Sequence, residues 1–221
     1  MKRIAPLLLL ATAPLLLPAT TALGQTTIAL TGGTNLASLV IERRGDDDSS
    51  ARRMVGLGIG LDATIPISQR LGLQLGASFT EKGTSFRDRY LLDYRGSLEL
   101  GYLEMRMLGK ALVYESGGGV ELHLLAGPAV ARQAYCRWYG QVTVRERTTG
   151  HHSACEVEET SAFDFGVVGG GWMEMWVSDR FGLLLSLLQT HGLQDIEAGI
   201  DDVTMKTRTM SLHAGGIVSI R

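Results

Sequence analysis

The sequence predicts an all-β chain that closes as an up-and-down antiparallel transmembrane β-barrel of about eight strands. Three observations carry this: apolar residues recur at every second position, no mature segment is apolar enough to span a bilayer as a helix, and short connections alternate with long polar ones.

The period is clearest over 71–80, where Leu71, Leu73, Leu75, Ala77 and Phe79 share one face and glycine or polar residues fill the other. A helix would mix those two sets. The same alternation runs through Val120, Leu122, Leu124 and Ala126, through Phe163, Phe165, Val167 and Gly169, and through Met210, Leu212 and Ala214. Weaker alternation over 26–40, 54–67, 97–107 and 181–193 brings the count to about eight, the smallest membrane barrel. Connections at 42–53, 83–94, 134–160 and 194–203 are long and polar; those at 68–70, 114–119 and 178–180 are short. Long and short loops then fall at opposite ends of the sheet, with both termini at the short-turn, periplasmic end.

Two of the short turns are near copies. Ile67-Ser68-Gln69-Arg70-Leu71-Gly72-Leu73 and Val177-Ser178-Asp179-Arg180-Phe181-Gly182-Leu183 share the order apolar, Ser, polar, Arg, apolar, Gly, Leu, as repeated hairpins would. The strand candidates also hold many of the 28 glycines. A narrow barrel filled by a few large interior side chains needs small neighbours for them.

The chain starts Met1-Lys2-Arg3, continues into an apolar run from Ile4 to Leu17 and reaches small residues at Ala22 and Gly24. This is the layout of a secretory signal peptide over 1–24, cut before Gln25, with one barrel domain over 25–221. Net charge is −2 and no basic patch suggests nucleic acid. In a chain that leaves the cytoplasm, the two cysteines, Cys136 and Cys155, are expected to pair. A bridge closing about twenty residues stabilises by roughly 3 kcal/mol in the chain-entropy picture.

Several stretches resemble the PorT-like outer-membrane β-barrel family: Leu73 to Gly83, Tyr102-Leu103-Glu104-Met105, Leu125-Ala126-Gly127-Pro128, and Phe163-Asp164-Phe165-Gly166 with the glycines through Gly171. The resemblance extends over nearly the whole mature chain. It implies a small barrel in the outer membrane of a Gram-negative-type bacterium, surrounded by outer-membrane lipid and monomeric.

The polar face carries Glu99, Glu121, His123, Asp164 and Glu174, with Glu104, Arg106, Lys206 and Arg208 at a looser register. These are expected to form a paired network in the lumen, since an unpaired charge there is costly. Tyr135, Trp138 and Tyr139, in the third long connection, are candidates for binding an extracellular protein or glycan, or equally for the aromatic girdle of the membrane. The acidic triplet Asp46-Asp47-Asp48 holds only a fragment of a calcium-loop spacing and reads as a solvated loop. No metal or cofactor motif stands out, and no catalysis is evident. The expected role is therefore structural, adhesive or in envelope assembly. Two alternatives are a lipid A or phospholipid hydrolase using Ser211 and His213, and a soluble periplasmic ligand-binding barrel whose apolar face turns inward.

Overall fold

The computed structural model describes residues 25–43, 52–88, 93–144, 147–154, 163–194 and 203–220. Residues 1–24, expected to be a signal peptide, and Asp46 to Asp48 and Cys155 lie outside these residues. The strands are β1 (Thr26–Arg43), β2 (Arg52–Pro66), β3 (Leu71–Asp88), β4 (Asp93–Glu115), β5 (Val120–Val144), β6 (Arg147–Ala154), β7 (Phe163–Trp176), β8 (Phe181–Gly192) and β9 (Val203–Ile220).

All pairings are antiparallel, and the order β4-β3-β2-β1-β9-β8-β7-β5 is closed by a β4–β5 ladder, giving a wall of eight strands without a free edge. The ninth strand, β6, lies outside this wall. Residues 120–132 of β5 pair with β7, while its upper residues 137–144 pair with β6 on the same edge.

Alternation decides which side chains meet lipid. On β3, Leu71 and Leu75 face outward, whereas Gln74, Gly76, Ser78, Thr80 and Lys82 are buried. On β8 the pattern is strict, with Phe181, Leu183, Leu185 and Leu187 out and Leu184, Ser186, Leu188 and Thr190 in. β2, β4 and β9 add outward rows at Val55 to Ile65, Leu103 to Met107 and Met210 to Val218. In water these apolar rows would be unfavourable; in a bilayer they are the solvated surface. The soluble alternative, with its apolar face inward, is thereby overturned: the continuous apolar rows are outside, and the lumen holds polar and charged residues beside a smaller apolar cluster.

Short turns join β2 to β3, β4 to β5 and β7 to β8. The two copied turns are built alike. Ser68 Oγ accepts from the backbone N–H of Arg70 and Leu71, and Ser178 Oγ accepts from those of Arg180 and Phe181. The β4–β5 turn uses Ser116 in the same way and reverses at Gly119, whose φ of 78° is in the left-handed region that glycine tolerates.

The opposite end differs from the sequence expectation. Most of 83–94 and much of 134–160 are strand, because β3 runs to Asp88, β4 begins at Asp93, and β5 continues to Val144 before turning back as β6. β4 and β5 are 23 and 25 residues long, more than twice the about 9–11 that cross a bilayer. The excess forms a sheet of β3, β4, β5 and β6 that rises above the barrel.

Lipid exposure on the outer rows gives a direct test. Leu75→Arg, at the middle of the outward row of β3, is expected to destabilise the barrel by about 2–4 kcal/mol in denaturant titrations in lipid vesicles. Gln69→Arg, in an exposed turn, is expected to change stability little. Equal effects would contradict the assignment of this face to lipid.

Candidate functional site

The lumen is occupied by charged side chains that pair within it, along one wall and, for Lys82 with Asp164, across from β3 to β7. Arg106 from β4 reaches Asp62 on β2 through three hydrogen bonds, Nε to Oδ1 at 3.2 Å and Nη2 to Oδ1 and Oδ2 at 3.0 Å each. Lys82 from β3 lies 3.4 Å from both Glu104 Oε2 and Asp164 Oδ2, and its ammonium is 4.9 Å from the centre of the Tyr102 ring. The Thr207 hydroxyl donates to Asp164 Oδ2 at 2.7 Å. All of these side chains are almost wholly shielded, so each charge requires its partner.

Glycines make room for these pairs. A Cβ on Gly76 would press into Asp62 Oδ1 and Arg106, and one on Gly58 would collide with His213 and Asn35. An apolar cluster of Leu108, Leu125, Val168, Trp172, Leu184, Leu188 and Ile217 fills interior space mainly beside β5, β7 and β8. Between this cluster and the ion pairs, the barrel interior is a packed core.

Below the packed region, at the end of the short turns, the lumen opens into a vestibule of ≈ 1070 Å³ lined by Lys110, Glu121, His123, Glu174 and Trp176 among others. Lys110 forms an ion pair with Glu174 Oε1, to which Trp172 Nε1 also donates at 2.6 Å. His123 Nε2 is 3.1 Å from Glu121 Oε2 and 3.7 Å from Glu174 Oε2. One donor atom from each of Glu121, His123 and Glu174 falls within 4.8 Å of the other two.

The residues singled out in the sequence therefore separate into several places. Glu121, His123 and Glu174 come together at the vestibule, and Asp164 joins Lys82 elsewhere in the lumen. Glu99 is placed differently: it is half-buried and odd-numbered on β4, on the side opposite Leu100, Tyr102 and Glu104, in register with Gly83 and Arg137. Its strand parity fixes this, because the inward row of β4 is the even one. Arg208 is likewise on the outer face, exposed, whereas Arg106 points inward.

Tyr135, Trp138 and Tyr139 are strand residues of β5, half-buried, where the sequence reading had an exposed loop. The Tyr135 ring lies across Gly101 of β4, where a Cβ would overlap it, and its hydroxyl donates to Glu81 Oε1 on β3 at 3.0 Å. Glu81 Oε2 in turn accepts from the Leu57 N–H of β2 at 3.0 Å, and the Arg137 guanidinium sits 4.8 Å from the Tyr135 ring centre. This strap ties four strands together on the outer face. Cys136, in register with Leu100, packs with Leu98, Leu100, Tyr102 and Ala131 on the other face and is not a free thiol.

Ser211 and His213 both face the lumen and are buried. His213 Nε2 is 3.1 Å from Asn35 Oδ1, so its partner is the amide of β1. Asp62, Lys82 and Lys110 were not singled out from the sequence. Their signal was a lone charge on the same parity as inward glycines or polar residues, as with Asp62 beside Gly58 and Gly60.

Removing one partner of a buried pair isolates the other. Arg106→Met is expected to cost about 3–5 kcal/mol, and the double variant Arg106→Met/Asp62→Leu to recover most of it. Chemical denaturation of the folded barrel in detergent measures both; a double variant as unstable as the single one would show that the pair is not the unit that matters.

Comparison with known proteins agrees with this architecture. No curated protein sequence gives a match. Among solved structures, OprG from Pseudomonas aeruginosa is similar at 11% identity and a TM-score of 0.52, covering 90% of this chain and 97% of its own. The outer membrane protease OmpT from Escherichia coli is similar at 8% identity and a TM-score of 0.50, covering 91% and 99%. These likenesses concern the fold. The model of the outer membrane protein beta-barrel domain matches residues 23–197, and the chain belongs to that family.

Proposed function

We propose that this outer-membrane barrel is a non-catalytic surface protein, structural or adhesive, that presents the β3–β6 sheet outside the cell to an extracellular protein or glycan. The observation that carries the reading is the length of β4 and β5, which exceeds what the bilayer requires. Such a rigid, strand-built projection positions side chains better than a loop of the same length, because its backbone bonds are already satisfied.

The filled lumen supports a platform role over conduction. Arg106 with Asp62 and Lys82 with Glu104 and Asp164 occupy the space that a solute path would need. A hydrolase reading would require Ser211 or His213 to reach lipid from the wall, and both side chains are directed inward.

Three finer assignments accompany this proposal. Within the family the chain is PorT-like, on the motifs around Tyr102-Leu103-Glu104 and Phe163-Asp164-Phe165-Gly166. It is exported by a signal peptide cleaved before Gln25 and works as a monomer among outer-membrane lipids. A Cys136–Cys155 bridge fastens the projecting sheet: β6 ends at Ala154, which pairs with Arg137, so the two cysteines adjoin paired residues in the chain.

Adhesion assays test the reading. Cells displaying the barrel are compared with cells displaying a form whose β3–β4 and β5–β6 hairpins are cut back to Glu81, Gly101 and Tyr135, on surfaces coated with sulfated glycan or with matrix protein. The trimmed barrel is expected to keep its heat-modifiable gel mobility and to lose adhesion to the level of empty cells. Equal adhesion by both forms would remove the proposal. In planar bilayers, wild-type barrels are expected to give no steady conductance, and a stable open channel would argue for transport instead.

A further inference from the structure

We infer that the periplasmic vestibule holds a divalent transition-metal site, with His123 Nε2, Glu121 Oε2 and Glu174 Oε2 as its three protein ligands. The inference rests on ligand geometry, on the support around Glu174, and on access.

A tetrahedral zinc ion bound at about 2.0–2.1 Å sets its ligand atoms about 3.4 Å apart. His123 Nε2 stands 3.1 Å from Glu121 Oε2 and 3.7 Å from Glu174 Oε2, one distance on either side of that edge, and the three ligand atoms fall within 4.8 Å of one another, so the two carboxylates draw together on the ion. The strand register produces this arrangement. Glu121 and Glu174 are direct partners across β5 and β7, and His123 follows Glu121 by two on the same face. Three ligands on adjacent strands of a closed wall are held without loop ordering.

Glu174 is oriented for this role by its other oxygen. Lys110 and the indole N–H of Trp172 both bond Oε1, which leaves Oε2 turned towards His123 and Glu121. Outer-shell donors of this kind fix a ligating carboxylate and tune its affinity. Lys110 neutralises one of the two carboxylates. The other, with the imidazole, leaves a mixed nitrogen and oxygen set that suits zinc and its neighbours among the divalent transition metals better than calcium or magnesium.

Access completes the case. Glu121 retains 28% side-chain exposure, and Glu121, His123 and Glu174 all line the open vestibule. Room remains there for a water as fourth ligand, as in zinc sites with three protein ligands. An ion arrives from the periplasmic side without crossing the packed lumen.

The experiment is zinc titration of the full mature chain, refolded in detergent, by calorimetry with metal content counted after dialysis. Wild type is expected to bind one zinc that His123→Ala weakens about 100-fold or more, beyond the 10–100-fold typical of losing an outer-shell partner. Glu121→Gln, nearly isosteric and at the vestibule edge, is expected to weaken it as well, with heat-modifiable mobility showing that both variants fold. The variant His151→Ala/His152→Ala, which changes the histidines of β6, is expected to bind as wild type does. No zinc on wild type, equal binding by His123→Ala and Glu121→Gln, or loss of binding in the His151/His152 variant would each overturn the site.

Discussion

Hydrocarbon offers the outer wall no hydrogen bonds, and this one condition propagates through the molecule. It requires every strand edge to be paired, which the β4–β5 ladder accomplishes by closing the sheet. It also requires the outward rows to be apolar. Since each strand alternates, the polar residues then have to point into a lumen only eight strands around. There they lack bulk water, so Arg106 is matched by Asp62 and Lys82 by Glu104 and Asp164. Long side chains meeting across a narrow interior need space at the wall, and Gly58 and Gly76 provide it where a Cβ would collide. Glycine at Gly58 and Gly76 thus follows from lipid on the outside by way of polar groups on the inside.

Above the bilayer the same strands meet water, and the outer face changes accordingly. Phe79 is followed on the outward row of β3 by Glu81, while the outward row of β4 passes from Leu103 through Gly101 to Glu99. The Tyr135 strap lies at this change. Its ring covers Gly101 and packs 6.1 Å from Phe79, and its hydroxyl reaches Glu81. An aromatic ring with a polar tip suits a boundary between apolar and wet surroundings. The strap also braces β2 through β5 where the closed wall gives way to the projecting sheet, whose outer edge is β6.

The wall was legible in the sequence because lipid and lumen impose opposite polarity on neighbouring residues, so that Leu71 to Phe79 announces its own phase. The copied turns were legible because Ser68 and Ser178 do the same local work. What the alternation does not carry is where a strand ends once neighbouring residues no longer alternate between apolar and polar. β5 therefore read as a loop beyond Ala134, although it continues through Tyr135, Trp138 and Tyr139 to Val144. The register shift between Gly101 and Tyr102 lies in the same region, where Glu99 was read with the lumen residues and stands on the other face. Pairing partners were the least legible feature. Asp62 and Arg106 are 44 positions apart, and the successive registers of β2 with β3 and of β3 with β4, each meeting at Gly76, bring them together.

The two ends of the barrel are separated by buried ion pairs and an apolar cluster. Arg106 is held by Asp62, and Lys82 by Glu104 and Asp164, and breaking such contacts is costly where both partners are shielded. The projecting sheet and the vestibule lie on opposite sides of this core. The vestibule differs from the core in one respect that matters for binding: Glu121 is partly open to water and can exchange partners with the solvent, whereas Arg106 and Asp62 are both shielded. A site able to bind something from outside has to be of the first kind, and within the lumen the row of carboxylate and imidazole facing the vestibule meets that requirement.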